Sequence, residues 1–158
     1  MLSEKQIEIF DKDGFIVLPD FKSKSELAAL KQAAFDIIDQ HDFSGYKARF
    51  STCEDNKKSD AYHRYFLESA NTVRCFFEDG AFDAGGDLAV PIQQAINKIG
   101  HAQHDLEPVF SEFSHGEKLA ELAADIGLRS PQIWQSMYIF KQPRIGGEVH
   151  WHQDTGFF

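Results

Sequence analysis

Two of the 158 residues are cysteine, Cys53 and Cys75, and they form no C-x-x-C pair. A disulfide scaffold and a thiol-ligated zinc knuckle are therefore not expected, and both thiols read as free in a reducing compartment. No stretch approaches the roughly 18 uninterrupted apolar residues of a membrane span. The first residues, Met1-Leu2-Ser3-Glu4-Lys5-Gln6, carry charge where a signal peptide would be apolar. Basic residues are outnumbered, 16 against 25 acidic, for a net charge of −9. That balance opposes nonspecific binding to nucleic acid or to an anionic membrane. The expectation is a cytoplasmic chain with no nucleic-acid partner and no membrane span. The glycine-rich phosphate motifs are also lacking, so Gly85-Gly86 reads as a turn, and without a G-x-S-x-G a serine hydrolase has no support.

What is present suits one globular domain. Hydrophobic residues make up 42% and charged residues 26%, too apolar for a disordered chain. Phenylalanine supplies 15 of the aromatic side chains, so burial is expected to rest on rings that need no hydrogen-bond partner.

Ser3 with Gln6 and Ser23 with Glu26 have capping-box spacing. They predict a helix ending near Gly14 and a second reaching about Gln40, with Leu27, Leu30, Ala34, Ile37 and Ile38 on its inner face. Phe15-Ile16-Val17-Leu18, stopped by Pro19, reads as a buried strand, and residues 41–61 read as a loop. Val73–Phe77 is expected to be a strand, 83–87 a turn, and 91–99 a helix opened by Pro91. A third capping box, Ser114 with Glu117, predicts a helix that closes at Gly127. From Pro131 to Phe140 the sequence turns aromatic and β-branched. A glycine turn at 146–147 then leads into Val149-His150-Trp151-His152-Gln153-Asp154. Helices come first and strands last, an α+β order.

The last of these segments carries the chemistry. On an extended strand His150, His152 and Asp154 share a face, with Val149 and Trp151 on the other, which is expected to be buried. Adjacent members lie about 6.6 Å apart and can converge on one metal ion, whereas the outer two are about 13 Å apart and cannot without a bend. His152 with Asp154 would supply two members of a two-histidine, one-carboxylate iron site, and His150 with His152 would suit a cupin-like metal site. The plain alternative is the solvated face of an edge strand. His101 and His104, three apart beside Asp105, read as solvated helix histidines in preference to a metal site. His41, His63 and His115 read as surface or locally bonded residues.

The segment Gln135 to Pro143, the run Gly146-Gly147-Glu148-Val149, and His152-Gln153-Asp154 together resemble the phytanoyl-CoA dioxygenase family. Asp13-Gly14-Phe15, Arg74 to Glu78, and Ile96 to Ala102 agree with it in collinear order. The resemblance implies a non-haem Fe(II), 2-oxoglutarate-dependent oxygenase on a double-stranded β-helix (jelly-roll) core. It takes a small organic or acyl substrate and dioxygen, and it converts 2-oxoglutarate to succinate. Carried over by position, His152 and Asp154 would be the metal ligands, and Lys98, Met137 and Gln153 would lie at the cosubstrate.

The family's second histidine ligand and its basic anchor for the far carboxylate of 2-oxoglutarate lie downstream of the H-x-D, and the sequence closes at Gly156-Phe157-Phe158. The 158 residues are therefore expected to form a single incomplete domain: a mainly helical support region with short strands over 1–130 and the first core strands, carrying the H-x-D motif, over 131–158. Such a piece is expected to be inactive alone and to leave Phe rings exposed. A noncatalytic binding or scaffold protein is the alternative from another class.

Overall fold

The computed structural model describes residues 1–45, 47–49, 60–149 and 151–153. Both predicted capping boxes form. Ser3 and Gln6 open α1 (Glu4–Asp13), and Ser23 and Glu26 open α2 (Lys24–Gln40), each by reciprocal side-chain and backbone bonds. Gly14, at φ 78°, ends α1 in the left-handed region that glycine enters without a Cβ penalty. The Glu26 carboxyl is held down to about 2, mainly by the Ser23 amide and hydroxyl. Ser23→Ala should cost about 1 kcal/mol of stability, the usual worth of an N-cap, read as a lower urea midpoint with unchanged slope.

The remaining elements are α3 (Asp60–Glu68), β1 (Val73–Phe77), α4 (Ile92–Ala95), β2 (Ile96–His101), α5 (Gln103–Leu106), α6 (Pro108–Ser114), α7 (Glu117–Asp125) and β3 (Ser136–Ile139). The strands form one antiparallel sheet in the order β1-β2-β3. This is an α+β arrangement, with helical layers on both faces of the sheet.

One layer comes from α2 and α6. Leu30, Ala34 and Ile38, spaced by four along α2, pack with Cys75, Phe77, Ile96, Ile99, Phe110 and Phe140. On the opposite face α3 brings Tyr62, Tyr65 and Phe66 against Phe76 and Ala48. Cys75, Phe76 and Phe77 are thus consecutive and all buried. A strand covered on both faces reads as a continuous apolar run, not as an alternating one.

Several expectations fail for tertiary reasons. Residues 15–18 form no strand: Phe15 and Val17 face solvent while Ile16 and Leu18 are half-buried, and four apolar residues with no sheet edge to join have no ladder to make. The helix expected over 91–99 lasts only to Ala95. From Ile96 the backbone pairs with Phe77 and then with Ile139, Tyr138 and Met137, and two ladders outweigh a local helical preference. Ser114 caps nothing because it closes α6, and Gly116 precedes α7 with no side-chain cap. Asp60 and Ala61, expected in a loop, open α3. The stretch expected to be extended from 131 is a strand only over Ser136–Ile139.

Candidate functional site

The register of the sheet places Arg74, Phe76, Lys98, Gly100, Met137 and Ile139 on the face that α3 covers only in part. Lys98 lies opposite Phe76 on one side and Ile139 on the other, and Gly100 lies opposite Arg74 and Met137. Cover is complete at β1, where Phe76 is fully buried, and fails at β3, where Met137 and Ile139 are about half-exposed. Lys98 sits between these limits and is only 4% exposed. Its Nζ is 5.2 Å from the ring centres of both Phe66 and Phe76 and 3.7 Å from the Met137 sulfur. An ammonium ion this close to two ring faces and a thioether makes cation–π and sulfur contacts, with the half-exposed β3 side chains beside it. Lys98 and Met137, named together from the sequence, are therefore in contact.

His101 closes the inner end of this face. Its ring packs 5.0 Å from Phe66 and 5.6 Å from Phe76. Ser69 Oγ can donate to the Phe66 carbonyl and shares a hydrogen bond with His101 Nδ1 at 2.7 Å. The ring's Nε2 is buried and without a hydrogen-bond partner among the described residues. Burial, and then the charge of Lys98, push the His101 pKa down to about 4. His101 is a neutral wall of the site.

His104 acts on the neighbouring strand. Ser136 Oγ lies 3.4 Å from the His101 carbonyl, accepts from the His104 backbone N–H at 3.2 Å and shares a hydrogen bond with His104 Nδ1 at 2.7 Å. The bonds fasten α5 to the start of β3 and so set Met137 across from Gly100. The expectation of solvated helix histidines fails for both residues, each only 3% exposed. His101 ends a strand, and only His104 is helical. Asp105 is 3.4 Å from His104 Nε2 and 3.8 Å from His115 Nε2. His115 keeps the local role expected of it, bonding the Ser111 carbonyl, whereas His41 is half-buried beside Phe43. Cys75 is a free thiol whose pKa burial pushes up to about 12, which removes it as a nucleophile at neutral pH.

Of the H-x-D segment, Val149, Trp151, His152 and Gln153 are described; His150 and Asp154 lie outside the described residues, as does Cys53. The four described positions are exposed and belong to no strand. The expectation that Val149 and Trp151 are buried fails: Val149 is 56% exposed and Trp151 wholly so, because nothing described packs on that side. Among the described residues no group of three or more His, Cys, Asp or Glu is arranged to hold a metal. The donor set of the segment, one imidazole and one carboxylate two residues apart, has the chemistry of an Fe(II) site, and the Lys98 ammonium has the charge for an anionic cosubstrate. Sequence reasoning missed the surroundings of Lys98, namely Phe66, Ser69, Phe76 and His101. The helical spacing of Tyr62, Tyr65, Phe66 and Ser69 was the available signal.

The chain matches the family model described as phytanoyl-CoA dioxygenase (PhyH) over residues 10–158. It is 43% identical over 158 residues to phytanoyl-CoA dioxygenase domain-containing protein 1 of Bos taurus, covering 99% of this chain and 54% of that protein. It is 41% identical over 156 residues to the phytanoyl-CoA dioxygenase of Arabidopsis thaliana, again at 99% and 54%. A homolog of phytanoyl-CoA dioxygenase domain-containing protein 1 in Dictyostelium discoideum is 39% identical, with the same two shares. The chain spans about half the length of these curated relatives. No helix among its described residues is long and apolar enough to cross a membrane. Matched by the family model from residue 10 to residue 158, this chain belongs to the phytanoyl-CoA dioxygenase family.

Proposed function

We propose that this chain carries the cosubstrate face and two metal ligands of an Fe(II)/2-oxoglutarate-dependent oxygenase acting on a C–H bond of a small organic or acyl substrate. One observation carries the reading: a nearly buried lysine on a sheet face, walled by Phe66, Phe76 and Met137. In it the three strands are part of a jelly-roll core. His152 and Asp154 hold the metal, and Lys98 holds a carboxylate of 2-oxoglutarate with Met137 as apolar wall and Gln153 nearby. When bound, iron would activate dioxygen as the oxidant, with two electrons drawn from 2-oxoglutarate, which would leave as succinate and carbon dioxide, and two from the substrate C–H bond. The chain's own residues position these groups. The apolar walls exclude water, which strengthens the attraction between ammonium and carboxylate, and neutral His101 places no second cation beside Lys98. The net charge of −9 weighs against a highly anionic acyl-CoA as substrate.

Anaerobic titration with Mn(II) or Fe(II), then with 2-oxoglutarate, tests the reading. His152→Ala and Asp154→Ala should each weaken metal binding at least about tenfold. Lys98→Met should leave metal affinity unchanged and weaken 2-oxoglutarate by about 10- to 100-fold, the worth of a charge-assisted bond. Metal loss on His150→Ala with Asp154→Ala silent would establish the cupin-like site instead. Indifference to all of these changes would establish a noncatalytic scaffold. The 158 residues carry two of the ligands assigned and no assigned anchor for the far carboxylate. Aerobic incubation of this chain with iron and 2-oxoglutarate should therefore yield no succinate above the protein-free control.

A further inference from the structure

The turn that launches the H-x-D segment is seated on a buried carboxylate. Glu78 follows β1 directly and is 3% exposed. Its backbone is held at both ends, the N–H by the Ala95 carbonyl (2.7 Å) and the carbonyl by the Ala81 N–H (3.1 Å). Its side chain is equally fixed: Oε1 accepts from the Asp79 N–H at 3.1 Å and Oε2 from Asn97 Nδ2 at 2.9 Å. Asn97 also accepts the Phe140 N–H at 2.8 Å, so the same residue ties the end of β3 to the start of β2. Gly146 lies directly over this carboxylate. A Cβ on Gly146 would stand 2.8 Å from Cδ, 2.9 Å from Oε2 and 3.1 Å from Oε1, and the backbone there has φ 107°. Only glycine lets the turn come this close, and a turn that close leaves the carboxylate no access to water.

We propose that Glu78 is a positioning residue for the metal-binding segment: its carboxylate, oriented by Asn97, is the seat on which Gly146 fixes the base of residues 147–153. His152 is six residues beyond this contact, so a seat at Gly146 confines it to a reach of about 20 Å along the chain. The far side of the turn is secured as well, since Gln142 Nε2 donates to the Gln93 carbonyl at 3.1 Å. Fastened at both sides, the turn has one place to sit, and the chain beyond it starts from a fixed origin. The role in metal binding rests on the oxygenase reading; the seating of the turn does not.

The test is Gly146→Ala, alone and combined with Glu78→Asp, whose carboxylate is one methylene shorter and makes room for the added methyl. Hydrogen exchange of the metal-free chain reads the seating. Gly146→Ala should speed amide exchange over 147–153 at least about tenfold, with β1 and β2 unchanged. Mn(II) titration reads the consequence, a loss of about 10- to 100-fold in affinity, the range for residues that orient a metal ligand without touching the metal. The double variant should recover part of both effects, the remainder being the strain that φ 107° puts on any Cβ at 146. Unchanged exchange over 147–153, equal loosening of β1, or no recovery in the double variant would each overturn the proposal. If the unaltered chain fails to bind Mn(II) while the exchange results hold, the oxygenase reading falls and the seating of the turn stands.

Discussion

Replacing Phe76 by alanine should remove about 3–5 kcal/mol of unfolding free energy, the cost of emptying a buried aromatic site. Phe76 has no exposed surface. Tyr65 meets its ring edge-on at 5.3 Å and Phe66 at 5.9 Å, and His101 tilts against it at 5.6 Å. Little backbone can move to fill the gap. The strand is hydrogen-bonded to β2, and Phe77, the next residue, is locked into the other core by Phe43 and Phe82. The hole therefore persists, and the cavity adds to the lost transfer energy. Urea denaturation of the variant beside Ile139→Ala checks this, because Ile139 shares the same face but is half-exposed and should cost well under half as much. Equal losses at the two positions would mean that α3 does not seal this face. The variant also admits water to Lys98, so under the proposed oxygenase reading 2-oxoglutarate affinity should fall together with stability.

Acid should destabilise the chain through His101. Its pKa, ordinarily 6.5, is pushed down to about 4 in the folded state by burial and by Lys98. The folded state thus binds this proton less readily than the unfolded state. The stability the group contributes is complete above about pH 6.5 and is lost as pH falls toward 4. The loss amounts to about 2 kcal/mol at pH 5 and about 3 kcal/mol near pH 4. His101→Asn retains a donor near Ser69 and removes the titration. Urea midpoints for the two proteins at pH 7, 5.5 and 4.5 should show wild type falling faster with acid. Parallel curves would mean that His101 binds its proton equally well in the folded and unfolded chain. The direction bears on the site too, since a charged His101 would set a second cation beside Lys98.

The local signals were legible where they were self-contained. Ser3/Gln6 and Ser23/Glu26 open helices as their spacing says, because a capping box is satisfied within one turn and asks nothing of the rest of the chain. Val73–Phe77 is a strand as read. The failures share one cause. Ser114 and Glu117 have the spacing of a cap, yet α6 runs on through Ser114; Ile96 to Ile99 continue a helical pattern, yet two neighbouring strands recruit them. Competition between elements is invisible in a window of ten residues.

For the site, residue types in order identified the family, and the resemblance pointed to Lys98, Met137 and the H-x-D segment. Composition alone would leave Lys98 an ordinary exposed lysine. Only the sheet register shows why it is not: antiparallel pairing sets Phe76 and Ile139 on either side of it, and α3 lays Phe66 above it. The scarcities first read from the sequence, of cysteine pairs, basic charge and long apolar runs, set expectations that depend on residue supply alone. Which histidines are buried, which face of the sheet stays open and which carboxylate lies under Gly146 were decided by tertiary structure. Burial and close approach are properties of residues distant in sequence and adjacent in space.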